Sequence, residues 1–155
     1  MTHSFVRGAL AALVALAALP ALADGLAVEG AYAVRSNPMS GAAYMTLRNA
    51  GPGDDRLLSL DSPAAQRTEL HSNEITDGVA RMRPMPEGLP LPAGGTAVLE
   101  RGGLHVMFMG LTAPLEDGEI VPLTLHFESG RTITVALRVT PQHAGEIPPP
   151  DGDKP

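Results

Sequence analysis

The feature that most constrains the fold of this chain is a series of short segments, between Leu26 and Val139, in which apolar and polar residues alternate. Alternation with a period of two is typical of β-strands with one buried face. Glycine and proline, 17 and 15 of the 155 residues, interrupt the segments at short intervals, and no useful length of sequence has the period of a helix. Many short strands with this spacing predict a single all-β domain, an antiparallel sandwich or barrel.

The turn residues delimit nine or ten expected strands. They cover residues 26–34 (one or two strands), 43–49, 55–60, 67–72, 79–85, 96–100, 104–109, 120–128 and 131–139. Asp77-Gly78 is typical of a two-residue hairpin turn and joins two of these strands. Residues 36–41 and 84–92 are predicted to be irregular, and residues 63–66 to form at most one helical turn.

The first residues have the pattern of a secretory signal peptide. Arg7 precedes an Ala/Leu/Val run over residues 8–19, and Pro20-Ala21-Leu22-Ala23 supplies a small-x-small cleavage pattern. We therefore expect residues 1–23 to be removed and the mature protein to lie outside the cytoplasm. Retention as an uncleaved anchor is the alternative.

The expected mature chain divides into one domain and a tail. Residues 24–140 are long enough to bury a core, and they contain no apolar run that could cross a membrane. Residues 141–155 are dominated by proline, glycine and acidic residues, a composition that predicts a disordered tail. We expect the protein to be a monomer.

Composition excludes several classes of function. A net charge of −6 disfavours contact with nucleic acid and with anionic membranes, and the few aromatic residues cannot form a stacking platform for bases. The absence of cysteine excludes disulfides, thiol redox chemistry and a blue-copper site. Neither a Ser-His-Asp order nor a phosphate-binding glycine loop followed by a helix is present.

The segment Leu104–Met109 places unusual side chains on one face. In a strand, Val106 and Phe108 point to one side, whereas His105, Met107 and Met109 point to the other. An imidazole and a thioether aimed the same way could hold a soft metal ion. The alternative for this pair alone is a core methionine with a histidine at the rim.

A second imidazole and a second thioether lie around the predicted hairpin. His71 ends one strand, and Met82 lies in the next between Arg81 and Arg83, which indicates a face partly open to water. If this hairpin packs near the strand at 104–109, the four side chains form a set of two neutral imidazoles and two thioethers. Thioethers favour Cu(I) over Zn²⁺, Ca²⁺ and Mg²⁺, and four uncharged donors favour carriage of the ion over catalysis.

At this point the sequence resembles the periplasmic Cu(I) chaperones of the PCuAC type, over nearly the whole expected domain. The shared motifs are Gly41-Ala-Ala-Tyr-Met-Thr-Leu47, Glu69-Leu-His71, Asp77-Gly-Val79, Met82-Arg-Pro84, Pro92-Ala-Gly-Gly95 and Gly103-Leu-His-Val-Met-Phe-Met-Gly-Leu111. The resemblance implies a cupredoxin-like Greek-key β-sandwich and copper ligands at His71, Met82, His105 and Met107. Many members carry methionine directly after the first histidine, where this chain has Ser72.

The resemblance also implies a role. Such proteins are implicated in supplying Cu(I) to the binuclear copper centre of cytochrome c oxidase, so the expected partner is oxidase subunit II or a thiol-bearing assembly factor. We therefore expect an extracytoplasmic copper chaperone and not an enzyme. The alternatives are a metal-free β-sandwich that binds another envelope protein through an edge strand, and a copper oxidase.

The other histidines and methionines are assigned less specific roles. Met45 is expected in the core and His126 is expected to be structural. The roles of Met39, Met85 and Met109, and of His143 in the tail, stay open at this stage.

Overall fold

The structure is a computed structural model that describes residues 21–23 and 25–142. All of its regular elements are strands: β1 (Ala21–Ala23), β2 (Leu26–Asn37), β3 (Ser40–Asn49), β4 (Asp55–Asp61), β5 (Ala65–Thr76), β6 (Val79–Pro84), β7 (Leu89–Leu91), β8 (Thr96–Leu99), β9 (His105–Leu111), β10 (Ile120–Phe127) and β11 (Thr132–Thr140). Most of the expected signal peptide and tail, including His143, lies outside the described residues. Residues 21–23, at the end of the expected signal peptide, form β1, which pairs with β2.

The strands form one hydrogen-bonded path in the order β6-β5-β9-β3-β2-β11-β10-β4-β7, with β1 paired to β2 and β8 to β3. All the pairs are antiparallel except β2 with β11. The path folds back on itself, so that β4 packs near β5 and both halves contribute to one core. Of the two architectures that the sequence pattern predicted, the chain therefore adopts the sandwich, and it is the cupredoxin-like Greek-key β-sandwich that the resemblance implied.

The core follows from the alternation in the sequence. In β10, Val121, Leu123, Leu125 and Phe127 are all buried, and the residues between them are not. On β9, Val106 and Phe108 are fully buried, which leaves His105, Met107 and Met109 on the opposite face, as predicted.

Three local predictions are wrong. Residues 63–66 do not form a helical turn: Pro63 and Ala64 form a turn and β5 already begins at Ala65, because its backbone pairs with β9. The predicted irregular segment 84–92 contains β7, which pairs with β4. The predicted loop 36–41 is shorter than expected, since β2 and β3 pair up to Asn37 and Ser40.

The hairpin prediction at Asp77-Gly78 is confirmed. Asp77 has a φ of 53° and Gly78 a φ of 76°, so both central residues adopt the left-handed conformation that two-residue hairpin turns require. This turn sets the register of β5 with β6, and thereby the position of Met82. Within the described ranges, no helix is long and apolar enough to span a bilayer.

Candidate metal centre

The candidate site lies on the outer face of the four strands β6, β5, β9 and β3. Residues that pair directly across neighbouring strands share a face of a sheet. His71 pairs with His105 across β5 and β9, and Met107 pairs with Glu69 on one side and with Ala42 of β3 on the other. The two imidazoles are therefore cross-strand neighbours, with ring centroids 5.9 Å apart and the rings edge to face.

Met82 reaches the same face from β6. It pairs with Asn73, which stands two residues after His71 on β5, so both side chains project on the side of the two histidines. Met82 is 59% exposed, which confirms the open rim predicted from its flanking arginines. A cavity of about 340 Å³ is lined by Met82, His105 and Met107, among other residues.

His105 is held with one nitrogen free. The side chain is buried, with 6% of the residue exposed, and its Nδ1 lies 3.0 Å from the carbonyl oxygen of Gly103. A carbonyl oxygen only accepts, so Nδ1 carries the proton and donates this hydrogen bond. The lone pair is then on Nε2, the nitrogen available to a ligand.

His71 shows the converse arrangement. Its Nε2 lies 3.2 Å from a carboxylate oxygen of Glu69, which accepts the hydrogen bond, and this leaves the lone pair on Nδ1. The Nδ1 atom is buried and has no hydrogen-bond partner within the described residues. A buried unpartnered acceptor is costly unless something binds it, and a metal ion is one such partner.

Glu69 and Asn73 are parts of the site that the sequence reasoning did not assign. Glu69 sits between His71 and Arg67, whose guanidinium Nη1 is 3.7 Å from its carboxylate. Asn73 donates from Nδ2 to the carbonyl oxygen of Gly102, 3.3 Å away, and so ties the β6 hairpin to the loop before β9. Their spacing in the sequence could have identified them, because each lies two residues from His71 on β5 and therefore on the same face.

Tyr44 forms part of the cavity wall on β3. Its ring lies 5.4 Å from that of Tyr32 and under the guanidinium of Arg101, which is 5.6 Å from the ring centroid. Burial raises the pKa of Tyr44, and this outweighs the opposing effect of the Arg101 charge. The phenol therefore stays neutral at ordinary pH, and it adds no negative charge to the cavity.

The remaining histidines and methionines lie elsewhere or serve other contacts. Met109 shares the face of Met107, but its sulfur is 3.7 Å from the guanidinium of Arg67. Met39 is exposed in the turn between β2 and β3, Met45 is buried as predicted, and Met85 packs against the core. His126 lies on β10 and hydrogen-bonds to Asp61.

None of the described residues that line the cavity carries a carboxylate, the group that hard cations prefer. Among the described residues, no three or more His, Cys, Asp or Glu side chains form a group able to hold a metal. Met82, His105 and Met107 line one cavity, and His71, which is not among its lining residues, lies beside His105. Imidazoles and thioethers are donors suited to a soft monovalent ion.

Known proteins provide an independent comparison. The LpqE-like family model, described as "Putative lipoprotein LpqE-like", matches residues 26–139. The protein named "Putative lipoprotein Lxx21020", from Leifsonia xyli subsp. xyli, is 37% identical over 117 residues, which are 76% of this chain and 70% of that relative. The solution structure of apo-DR1885 from Deinococcus radiodurans is 37% identical, with a TM-score of 0.59, and the match covers 92% of this chain and 97% of DR1885.

Two copper-bound structures have the same fold. The copper-bound PCuAC domain from PmoF2 is 18% identical, with a TM-score of 0.63 over 78% of this chain and 97% of that domain. The solution structure of CuI-DR1885 is 39% identical, with a TM-score of 0.56, over 73% of this chain and 78% of DR1885. The chain therefore belongs to the LpqE-like family and is a member of the PCuAC family.

Proposed function

We propose that this protein binds Cu(I) as cargo through His71, Met82, His105 and Met107, and delivers it to another protein outside the cytoplasm. The observation that carries the proposal is the pair of cross-strand imidazoles, each with one nitrogen tied up as a donor and the other left with its lone pair. The existence of a Cu(I) form of the relative DR1885 supports the choice of metal.

The contacts around the two imidazoles support this assignment. Histidines that bind metals usually donate their second ring N–H to a carboxylate or a backbone carbonyl, which fixes the tautomer and the ring orientation. Here His71 donates to a carboxylate and His105 to a backbone carbonyl. Thioether sulfurs on the same face complete a soft, uncharged set that prefers Cu(I) to the common divalent ions.

The exposure of Met82 suits transfer. A donor at the rim can leave the ion while a partner's donor replaces it, so the ion never becomes free in water. Four neutral ligands do not compensate the positive charge of Cu(I), and a thiolate on the partner would. We propose oxidase subunit II or a thiol-bearing assembly factor as the recipient, during assembly of the binuclear copper centre of cytochrome c oxidase.

The location proposed is the periplasm, reached through a cleaved signal peptide. The sequence pattern of residues 1–23 supports export. The names of the matching family and of the relative Lxx21020 both contain the word lipoprotein, which also fits a place outside the cytoplasm.

Competition with a Cu(I)-specific chelator tests the ligand set. We expect His105→Ala and Met107→Ala to weaken Cu(I) binding at least about tenfold, because loss of a ligand should cost no less than loss of an outer partner. His126→Ala and Met85→Leu are matched controls, since these side chains lie off the shared face. Unchanged affinity in both site variants would leave the metal-free interaction module as the better function.

The spectroscopic properties and the reactivity of the copper-loaded protein distinguish a carrier from an oxidase. A carrier is expected to hold a colourless, diamagnetic ion and to transfer it stoichiometrically to the soluble copper domain of subunit II. A stable Cu(II) form with visible absorption and catalytic turnover would contradict the proposal.

A further inference from the structure

The hairpin of β5 and β6 projects from the sandwich. All residues from Glu74 to Pro84 are exposed, and they include both faces of the hairpin. The base of this hairpin is at the candidate metal centre, where Asn73 bonds to Gly102 and Met82 borders the cavity. Because this hairpin projects from the core and its base is at the candidate metal centre, a protein that approaches that centre would contact it.

One face of the hairpin carries an apolar strip that continues from the site. Register pairs Ile75 with Ala80 and Asn73 with Met82, so Ile75, Ala80 and Met82 project on the same side as the two histidines. Ile75 is 74% exposed. Val79, 52% exposed, lies on the opposite face at the tip of the same hairpin, and the remaining large exposed apolar side chains among the described residues, Met39, Leu58, Val98 and Ile120, belong to other elements.

The outer edge of β6 is open. This strand ends the strand order and pairs with β5 alone among the described strands. Edge strands with free N–H and C=O groups accept a further strand from another protein. The edge and the apolar strip together form a surface on which an extended segment can pair its backbone and cover Ile75.

The charges on the reverse face decide between the possible occupants. Arg81 and Arg83 share that face with Glu74. The carboxylate of Glu74 forms an ion pair with Arg83, with 2.7 Å between Oε2 and Nε, whereas Arg81 forms no ion pair with any described residue. In a second copy paired edge to edge about Met82, Arg81 of one chain would oppose Arg83 of the other, and directly opposed like charges destabilise a sheet. Acidic residues at those positions would be attracted.

We infer that the β5–β6 hairpin is the docking surface for the copper-exchanging partner, a protein that adds an extended segment to the β6 edge with apolar residues toward Ile75 and acidic residues toward Arg81. The inference rests on the proposed function in one respect, namely that the occupant exchanges copper. Docking brings the partner's donor beside Met82, the exposed member of the proposed ligand set.

Two short peptides serve as probes. In both, valine alternates with a charged residue around one central cysteine; the charged residue is aspartate in one and lysine in the other. The amide NMR signals of residues 79–83 are followed during titration of the apo protein, and Cu(I) transfer is timed by stopped flow. Arg81→Glu and Ile75→Ser are the test variants. Arg138→Glu, at an exposed arginine of β11 without an ion pair to a described residue, and Val98→Ser, on β8, are the matched controls.

At low ionic strength we expect the aspartate peptide to shift the β6 amides and to receive Cu(I) about tenfold faster than the lysine peptide, with the difference lost near ~0.5 M salt. Arg81→Glu should abolish the preference and Ile75→Ser should slow transfer to both peptides, whereas the controls should not. Equal rates for the two peptides, shifts confined to other strands, or self-association through β6 seen by ultracentrifugation would overturn the inference.

Chelator competition on the same variants distinguishes failure of the docking inference from failure of the proposed function. If Cu(I) affinity is retained and the β6 amides do not respond, the docking surface is refuted and the carrier function stands. If no variant or wild type binds Cu(I), the carrier function fails, and the apo titration still decides whether the edge binds acidic segments.

Discussion

Glu69 provides the sharpest test of how the site is held together. Its carboxylate accepts a hydrogen bond from Nε2 of His71 at 3.2 Å, and this bond leaves Nδ1 as the buried, unpartnered nitrogen. We predict that Glu69→Ala weakens Cu(I) binding, because His71 then loses both its fixed tautomer and its fixed ring orientation.

The magnitude follows from the geometry. A hydrogen bond to a charged group contributes about 1.5–3 kcal/mol, which corresponds to roughly 10- to 150-fold in affinity. The Glu69 side chain is 36% exposed and also faces Arg67, so solvent weakens the bond and the lower part of that range applies, about tenfold. Glu69→Gln keeps an acceptor oxygen and should lose less than Glu69→Ala.

Two measurements check this prediction. Chelator competition gives the affinity, and the imidazole ¹⁵N shifts of His71 report which nitrogen is protonated in the apo protein. Glu74→Ala is the matched control, since it removes another carboxylate of β5 that pairs with Arg83 instead. If Glu69→Ala changes neither the affinity nor the tautomer of His71, the carboxylate does not position the imidazole.

The other predictions concern stability. Burial alone raises the pKa of Asp55, but hydrogen bonds from the Ser129 hydroxyl and from two backbone N–H groups, with the Arg131 charge, outweigh it and hold the pKa below its ordinary value. Asp55→Ala should therefore lower the free energy of unfolding in urea by about 2–4 kcal/mol, against less than about 0.5 for exposed Asp117→Ala, and equal losses would contradict the assigned contacts. The contribution of Asp55 should be complete above the unfolded-state pKa near ~3.9 and disappear as pH falls through its folded-state pKa, so wild type and Asp55→Asn should converge in acid; a constant gap would refute the linkage. Gly88→Ala should unfold at lower temperature than Gly94→Ala, because both have positive φ but only at Gly88 would the new methyl group collide with the carbonyl of Leu57.

Most of the fold could be predicted from the sequence, because strand alternation and turn residues are local signals. Alternation predicted which face of β9 is buried, and Asp77-Gly78 predicted the hairpin that places Met82. Residues 63–66 and β7 were misassigned because proline and short length obscure local preference, and pairing with β9 and β4 decided their conformation.

The site was predictable in composition but not in geometry. Side-chain type and the resemblance selected His71, Met82, His105 and Met107, yet the pairing of residue 71 with residue 105 is a contact between strands far apart in sequence. The tautomers depend on that register and on Gly103 and Glu69, so periodicity alone could not indicate them. Which atoms bind copper stays a prediction for the experiments above.

With the proposed ligand set, the direct opposition of His71 and His105 across β5 and β9 also links binding of the ion to correct folding. A slip of one residue between these strands would turn one imidazole into the core, since side chains alternate between faces. A misassembled chain would then present isolated donors that have little hold on the ion. Copper would accumulate on native molecules alone and, by mass action, protect them from unfolding.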